Sequence, residues 1–208
     1  MQATHWLQHD SLVLASNNQG KIAEFENLFA QLKLPIQVIP QGRLNIADAI
    51  EDGLSFVENA IIKARHAAAH AAKPAIADDS GLVVPILGGA PGIYSARYAG
   101  EHGDDQANNA LLLERLKPYR QADQAIDAMF ICVLALVEHA EDPLPQIFQG
   151  VWHGEVLTEA RGEHGFGYDP LFWIPALQCS SAELNKEQKN KISHRGQAMR
   201  LFAASLTA

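Results

Sequence analysis

A short polar segment near the start of the chain has the residue types of a phosphate-binding loop. It stands between an apolar strand candidate and a helical pattern, and it consists of Ser16, Asn17, Asn18, Gln19, Gly20 and Lys21. A helix N-terminus offers unpaired N–H groups to an anion, glycine permits close approach, and lysine adds a full positive charge. The segment lacks the first glycine and the Gly-Lys-Ser/Thr ending of the Walker pattern. An ordinary N-cap beside an exposed lysine is the alternative.

Acidic residues in two places could hold a metal ion. Asp78 and Asp79 stand at the end of a strand of small residues, just before Ser80. Successive side chains of a strand point in opposite directions, so only one of the two carboxylates would enter a given pocket. Carboxylate oxygens suit Mg²⁺, and either Glu51 or Asp52 could complete the cluster if the fold brings it near. A helix cap or an Asx turn is the alternative.

Two later segments suit a flat ligand that carries negative charge. Residues 165–170 place two glycines around an aromatic residue, which lets the backbone approach a planar ring while Phe166 or Tyr168 offers a stacking face. Residues 189–195 gather two lysines, a histidine and an arginine in an otherwise acidic chain. Ser193 can cap a terminal helix, which puts basic residues against the helix dipole and suggests that they meet an anion or the edge of a base. A tight turn with a core aromatic residue and a solvated charge run are the alternatives.

The elements that must position these segments alternate between strands and helices. Hydrophobic spacing and turn residues predict strands at 12–16, 36–39, 75–77, 125–138, 146–158 and 170–174, and helices at 20–32, 56–73, 105–116, 181–186 and 195–206. Such a mixture is typical of an α/β protein with a mixed sheet. No linker is evident, so we expect one domain over residues 1–208, with residues 1–11 as a polar N-terminal lead.

Composition excludes several classes of function. The chain has 208 residues, with 16 Lys and Arg against 24 Asp and Glu and a formal net charge of −8, which argues against general affinity for nucleic acid or an anionic membrane. Cys132 and Cys179 are too few for a disulfide scaffold or a four-cysteine zinc site. The longest apolar run, 129–137, is far shorter than the roughly 20 residues that span a bilayer. Without a signal-peptide pattern, the sequence predicts a soluble, cytoplasmic protein.

In this order, the segments resemble the inosine triphosphatase family, whose members are pyrophosphatases that clear non-standard purine nucleoside triphosphates. The similarity runs from about Leu12 to Leu206 and is greatest to the bacterial branch acting on deoxyinosine and xanthosine triphosphates. The matching motifs are SNNQGK at 16–21, EDG at 51–53, FVENA at 56–60 with Lys63, ADDSG at 77–81, GGAPGIYSAR at 88–97, GFGYDP at 165–170 and SHR at 193–195. Asn17 departs from the pattern where glycine is common, and Gln188 where an acidic residue is common.

The resemblance implies an elongated mixed β-sheet with flanking helices, two lobes around a central cleft, and a homodimer. It implies that Glu51 and Asp79 hold Mg²⁺ and that Asp79 is the base for water attack at the α-phosphorus, which gives a monophosphate and pyrophosphate. Residues 16–21 and Lys63 would hold the triphosphate. The nucleoside would be contacted by Ser80, Phe166, Gly167, Tyr168, Asp169, Lys189, His194 and Arg195.

Two other functions stay open at the level of sequence. A pyrophosphatase of the septum-formation inhibitor type, acting on other nucleotides, shares the early polar segment and the acidic strand, but the glycine–aromatic loop and the Ser-His-Arg motif argue against it. A non-catalytic nucleotide-binding module is the second. The presence of Lys21, Glu51 and Asp79 together argues against that module.

Overall fold

The computed structural model describes residues 5–33, 36–120 and 125–206. Within these ranges the chain forms five α-helices and seven strands. The helices are α1 (Gln19–Leu32), α2 (Phe56–Ala71), α3 (Asp105–Leu116), α4 (Lys186–Ile192) and α5 (His194–Ser205). The strands are β1 (Ser11–Leu14), β2 (Gln37–Pro40), β3 (Ala75–Val83), β4 (Asp127–Val137), β5 (Gln146–Val156), β6 (Phe172–Ile174) and β7 (Cys179–Ser180).

The strands form one sheet in the order β2-β1-β3-β4-β5-β6-β7. Strand β1 pairs in parallel with both β2 and β3, whereas β6 pairs antiparallel with both β5 and β7. The predicted α/β fold with a mixed sheet and flanking helices is therefore confirmed. No helix in the part of the chain that the structure describes is long and apolar enough to cross a membrane.

The chain divides into two compact units. The first unit takes residues 1–79, 133–149 and 198–208, and the second takes residues 80–132 and 150–197. The boundary falls within strand β3, at the peptide bond between Asp79 and Ser80. The assignment of all 208 residues to a single domain stays a prediction.

Three helices begin at polar side chains that cap them. The Asn18 side chain accepts a hydrogen bond from the backbone N–H of Lys21 at 3.1 Å, and Ser55 and Asp104 cap α2 and α3 in the same way. Each cap satisfies an N–H group that has no partner within its own helix. The starts of α1, α2 and α3 are thus confirmed to within a residue.

The basic segment near the C-terminus differs from its predicted structure. The helix predicted at 181–186 is only a 3₁₀ turn over Ser181–Glu183, and α4 follows it and contains most of the basic run. Asn185 and Gln188 explain the difference, because they form a reciprocal capping box that starts a new helix after the turn. Ser193 then accepts a hydrogen bond from the N–H of Gly196, as expected of the cap of the terminal helix.

An aromatic cluster fills the core of the first unit. The Trp6 ring is fully buried, stacks on Phe202 with ring centroids 5.9 Å apart, and lies 6.5 Å from the ring of Phe29. Phe148 meets Phe202 edge-on at 5.4 Å. The sequence did not predict Trp6 as a core residue, because residues 1–11 are mostly polar and a single aromatic residue among them forms no periodic pattern. Residues His5–Gln8 form a 3₁₀ turn that carries Trp6.

We expect Trp6→Ala to lower the free energy of unfolding by about 3–5 kcal/mol, because it removes a fully buried ring and leaves a cavity. Urea unfolding followed by circular dichroism measures the change. Leu144→Ala is the control, since Leu144 is 65% exposed and should change the free energy by less than about 0.5 kcal/mol. Similar values for both variants would remove Trp6 from the core.

Candidate active site

Strand β3 sends its two adjacent carboxylates in opposite directions. Asp78 forms an ion pair with Lys21 of α1 at 2.5 Å, and Asp79 forms one with Lys63 of α2 at 2.7 Å. Both aspartates are buried, so each charge needs a partner in place of water. The strand continues through both residues to Val83. The side chains therefore alternate between the two faces, as the sequence predicts.

The Lys63 ammonium also joins Glu51 to this group. Its Nζ lies 3.4 Å from a carboxylate oxygen of Glu51 and 2.7 Å from Oδ1 of Asp79. The sequence left open whether Glu51 or Asp52 would approach the acidic strand, and the ion pair with Lys63 belongs to Glu51. The first unit therefore contains three carboxylates and two lysines in two ion-paired groups, Lys21 with Asp78 and Lys63 with Asp79 and Glu51.

Burial and neighbouring charges shift the pKa values of Lys63 and Asp79. Burial lowers the pKa of Lys63, but the surrounding carboxylates outweigh burial, so its pKa lies above the ordinary value. Burial raises the pKa of Asp79; Lys63 opposes the rise in part, and Glu51 and Asp78 add to it. Lys63 thus keeps its positive charge near neutral pH, and Asp79 is a stronger proton acceptor than an ordinary aspartate.

The polar segment before α1 forms a network of local hydrogen bonds. Ser16 Oγ accepts from the N–H of Asn18 at 3.1 Å, and the Gln19 amide donates to the Asn17 carbonyl at 3.5 Å. Asn18 caps the helix, so Gly20 and Lys21 lie in its first turn. The arrangement leaves the start of a 14-residue helix beside a lysine, which is the geometry that favours an anion.

Asn17, which departs from the glycine that the resemblance implies, has a defined partner. Its side-chain amide donates to Asp48 Oδ1 at 3.0 Å, and the buried Gln41 donates to the same oxygen at 2.5 Å. A Cβ atom at Gly42 would lie 2.5 Å from Asn17 Oδ1, so a side chain at position 42 would require the Asn17 amide to shift. Asp48 therefore ties the polar segment to the stretch that leads to Glu51.

The acidic residues of the first unit fit a divalent metal ion by their donor chemistry. Asp79 Oδ2 is buried and has no hydrogen-bond partner within the described residues. Glu51 and Asp79 offer oxygen ligands that already share one cation, the Lys63 ammonium. No group of three or more His, Cys, Asp or Glu side chains in the described ranges could form a full cage. Two carboxylates suit Mg²⁺, which completes its shell with water and phosphate oxygens.

Asp169 organises the loop of the second unit. It is 2% exposed, and its oxygens accept hydrogen bonds from the N–H of Phe166 at 2.9 Å and from Ser181 Oγ at 2.8 Å. The Lys189 ammonium makes a short ion pair with the same carboxylate. Every observed contact of the Asp169 side chain is thus internal, and a contact with substrate stays a prediction.

Phe166 presents an exposed ring next to two cations. The residue is 58% exposed, the Lys189 ammonium lies 5.1 Å from its ring centroid, and the Arg195 guanidinium lies 5.9 Å from it. Arg195 also donates to Ser80 Oγ at 3.3 Å. An exposed aromatic face bordered by positive charge is suited to a planar ligand that carries anionic or carbonyl groups.

Two other predicted site residues are buried in the core of this unit. The Tyr168 hydroxyl donates to the Ser95 carbonyl at 2.9 Å, and burial raises its pKa well above the ordinary range. The His194 ring stacks on Phe130 with centroids 4.8 Å apart and lies 6.4 Å from Trp152. Their observed role is to fix the loop and the start of α5, and their contact with substrate stays a prediction.

Sequence reasoning missed several residues that hold these segments. Asp48 and Ser181 stand outside any recognisable pattern and gave no signal. Ser95 lies within the matching motif at 88–97, yet its role depends on the fold: its Oγ accepts from the N–H of Leu82 at 2.9 Å and donates to the Gly92 carbonyl at 2.6 Å. A lone polar residue in a loop acquires such partners only when the tertiary structure forms.

The sequence profile described as the Ham1 family matches residues 12–205, which is most of the chain and includes both groups of residues. The chain belongs to the Ham1 family. A protein of Acinetobacter baylyi named dITP/XTP pyrophosphatase is 75% identical over 206 residues, covering 99% of this chain and 98% of that protein. A Pseudomonas aeruginosa protein of the same name is 55% identical, covering 95% and 97%.

Solved structures of other Ham1 family members have the same fold. The structure of a HAM1 protein from Coxiella burnetii superposes with a TM-score of 0.90 at 47% identity, covering 96% of this chain and 99% of that chain. The predicted resemblance to a family of nucleoside triphosphate pyrophosphatases is confirmed by the names of these relatives. The family membership applies to the whole described chain rather than to one unit.

We expect Lys189→Met to lower the free energy of unfolding by about 3 kcal/mol, because it strands the buried charge of Asp169. Lys191→Met is the matched control on the same helix, because Lys191 pairs with Glu187 where both side chains are largely exposed. Solvent screens such a pair, so its loss should leave urea unfolding unchanged. Equal behaviour of the two variants would contradict the central role of Asp169.

Proposed function

We propose that this Ham1 family member hydrolyses non-standard purine nucleoside triphosphates, namely dITP, ITP, XTP and dXTP, to the monophosphate and pyrophosphate. The observation that carries the proposal is the 75% identity, over 99% of the chain, with a protein named dITP/XTP pyrophosphatase. The charged residues of the first unit are of the kind that binds phosphate, and the exposed aromatic ring of the second is of the kind that stacks on a base.

The triphosphate is assigned to the first unit. Residues 16–21 bring the N-terminus of α1 and the Lys21 ammonium, and Lys63 brings a second positive charge. Because a triphosphate carries several negative charges, it would compete with Asp78 and Asp79 for these lysines. Electrostatic stabilisation of the departing pyrophosphate is the main chemical task of such groups.

Asp79 is assigned as the general base and Mg²⁺ as the cofactor. Family membership implies a divalent cation in general, and Glu51 with Asp79 would hold it through oxygen ligands. When bound, the cation neutralises phosphate charge. Asp79 would accept the proton of the attacking water at a carboxylate oxygen. Lys63 holds the phosphate oxygens in place.

The purine is assigned to the second unit. Phe166 would stack on the base, and Arg195, His194 and backbone N–H groups would donate to the carbonyl at position 6 of hypoxanthine or xanthine. Adenine has an amine there, which leaves these donors unpaired, and a site built on hydrogen bonds rejects such a base strongly. Ser80, Gly167, Tyr168, Asp169 and Lys189 complete the proposed contacts. A homodimer and a cytoplasmic location stay predictions.

The proposal is tested by pyrophosphate release from ITP, XTP, GTP, ATP and UTP with and without Mg²⁺. We expect turnover of ITP and XTP that needs the cation, with kcat/KM for ATP lower by up to about 10⁴-fold. Preference for UTP would favour the septum-formation inhibitor type of pyrophosphatase. Nucleotide binding without turnover under any of these conditions would identify a non-catalytic binding module.

Replacing the proposed base gives a sharper test. We expect Asp79→Asn to lower kcat for ITP by at least about 10²-fold, because the amide keeps the shape of the side chain but cannot take a proton. Asp10→Asn, at an exposed aspartate of the same unit, should leave kcat unchanged. A kcat for Asp79→Asn within about twofold of the parent enzyme would exclude Asp79 as the base.

A further inference from the structure

Helix α3 holds the exposed aromatic loop of the second unit through two side chains that no motif includes. The N–H of Gly167 donates to Asp105 Oδ2 at 2.6 Å, and the Asn109 amide donates to the Gly167 carbonyl at 2.9 Å. Asp105 and Asn109 stand four residues apart, so they share one face of the helix. Both backbone polar groups of a single glycine are thereby bound to α3.

The two backbone groups of Gly167 require different kinds of hydrogen-bond partner. A backbone N–H can only donate and a carbonyl can only accept, so an acceptor must face one side of Gly167 and a donor the other. Asp105 supplies the acceptor, and the amide nitrogen of Asn109 supplies the donor. A hydrogen bond to a charged carboxylate is stronger than one between neutral groups.

Helix α3 is itself held in place. It can therefore support the two hydrogen bonds from Asp105 and Asn109 to Gly167, which we call the clamp. Asp104 caps α3, and Leu112 and Leu116 on the same helix are fully buried. Asn108 accepts from the N–H of Ala99 at 2.7 Å, which fixes the segment before the helix. The polar residues at the start of α3 thus bind different partners. Asp105 and Asn109 are the two that bind the loop.

The clamp fixes the backbone on one side of Phe166, while Asp169 fixes the other. The N–H of Phe166 donates to Asp169, and the next N–H along the chain, that of Gly167, donates to Asp105. Gly167 has a φ of 62°, a left-handed conformation that is easily lost without such support. The exposed ring therefore projects in a set direction beside Lys189 and Arg195.

We propose that Asp105 and Asn109 are positioning residues that set the purine selectivity of the enzyme. They do so by holding the Phe166–Gly167 peptide so that the ring and the neighbouring donors meet the base together. The inference rests on the proposed function, because it assumes that Phe166 stacks on the purine. Neither residue is assigned a contact with the substrate.

Steady-state kinetics with ITP and ATP test the proposal in Asp105→Ala and Asn109→Asp. The second change keeps the shape of the side chain but sets a carboxylate oxygen against the Gly167 carbonyl. We expect KM for ITP to rise about tenfold, the ratio of kcat/KM for ITP over ATP to fall about tenfold, and kcat for ITP to stay within about twofold. Asp105→Asn, which keeps an acceptor oxygen, should restore most of the ratio.

The control is Gln106→Ala, because Gln106 is an exposed residue of the same helical turn. This change should leave unchanged both KM for ITP and the ratio of kcat/KM for ITP over ATP. An unchanged ITP-to-ATP ratio in Asp105→Ala and Asn109→Asp would overturn the proposal. So would an equal loss of kcat/KM for both nucleotides accompanied by a lower thermal midpoint, because that pattern marks a purely structural role.

Amide hydrogen exchange separates this inference from the proposed function. In the protein without nucleotide, the Gly167 amide should exchange at least about tenfold faster in Asp105→Ala than in the parent protein; equal rates would overturn the clamp. If the parent protein releases no pyrophosphate, the proposed function fails on its own. Calorimetric binding of IMP and AMP then replaces kinetics, and an unchanged ratio of the two affinities in the variants overturns the inference.

Discussion

Two successive side chains of a strand point to opposite faces, and this alternation organises the charged residues of the first unit. Because β3 runs through Asp78 and Asp79 without a turn, one carboxylate meets a lysine of α1 and the other a lysine of α2. Had the strand ended at Asp78, both carboxylates could share one lysine. The two helices are thus tied to the same strand by two independent buried ion pairs.

The second unit uses a buried carboxylate in a different way. Asp169 accepts from a backbone N–H, a serine hydroxyl and a lysine at once, so its charge organises a loop rather than linking helices. Complete hydrogen bonding is what makes burial of such a charge affordable. The protein as a whole carries a net charge of −8, yet its buried acidic residues lie next to lysines that an anionic ligand could attract.

Local patterns were enough to predict most elements of the fold. Apolar spacing and turn residues located α1, α2 and α3, and the run of small residues before Asp78 located β3. No sequence pattern could predict that Glu51 rather than Asp52 pairs with Lys63, since this depends on the direction in which a loop approaches Lys63. Trp6, Asp48 and Ser181 escaped notice for the same reason: each gains its partners only through tertiary contacts, and none belongs to a periodic run.

The contact between Asn17 and Gly42 links two distant positions of the sequence. In this chain a methyl group at position 42 would meet Asn17 Oδ1 at 2.5 Å, whereas a relative with glycine at position 17 has no side chain there to meet. A side chain at position 42 would therefore require the Asn17 amide to move in this chain, whereas no such shift is needed when position 17 is glycine. The two positions are therefore coupled through space, and the effect of a change at position 42 depends on the residue at position 17.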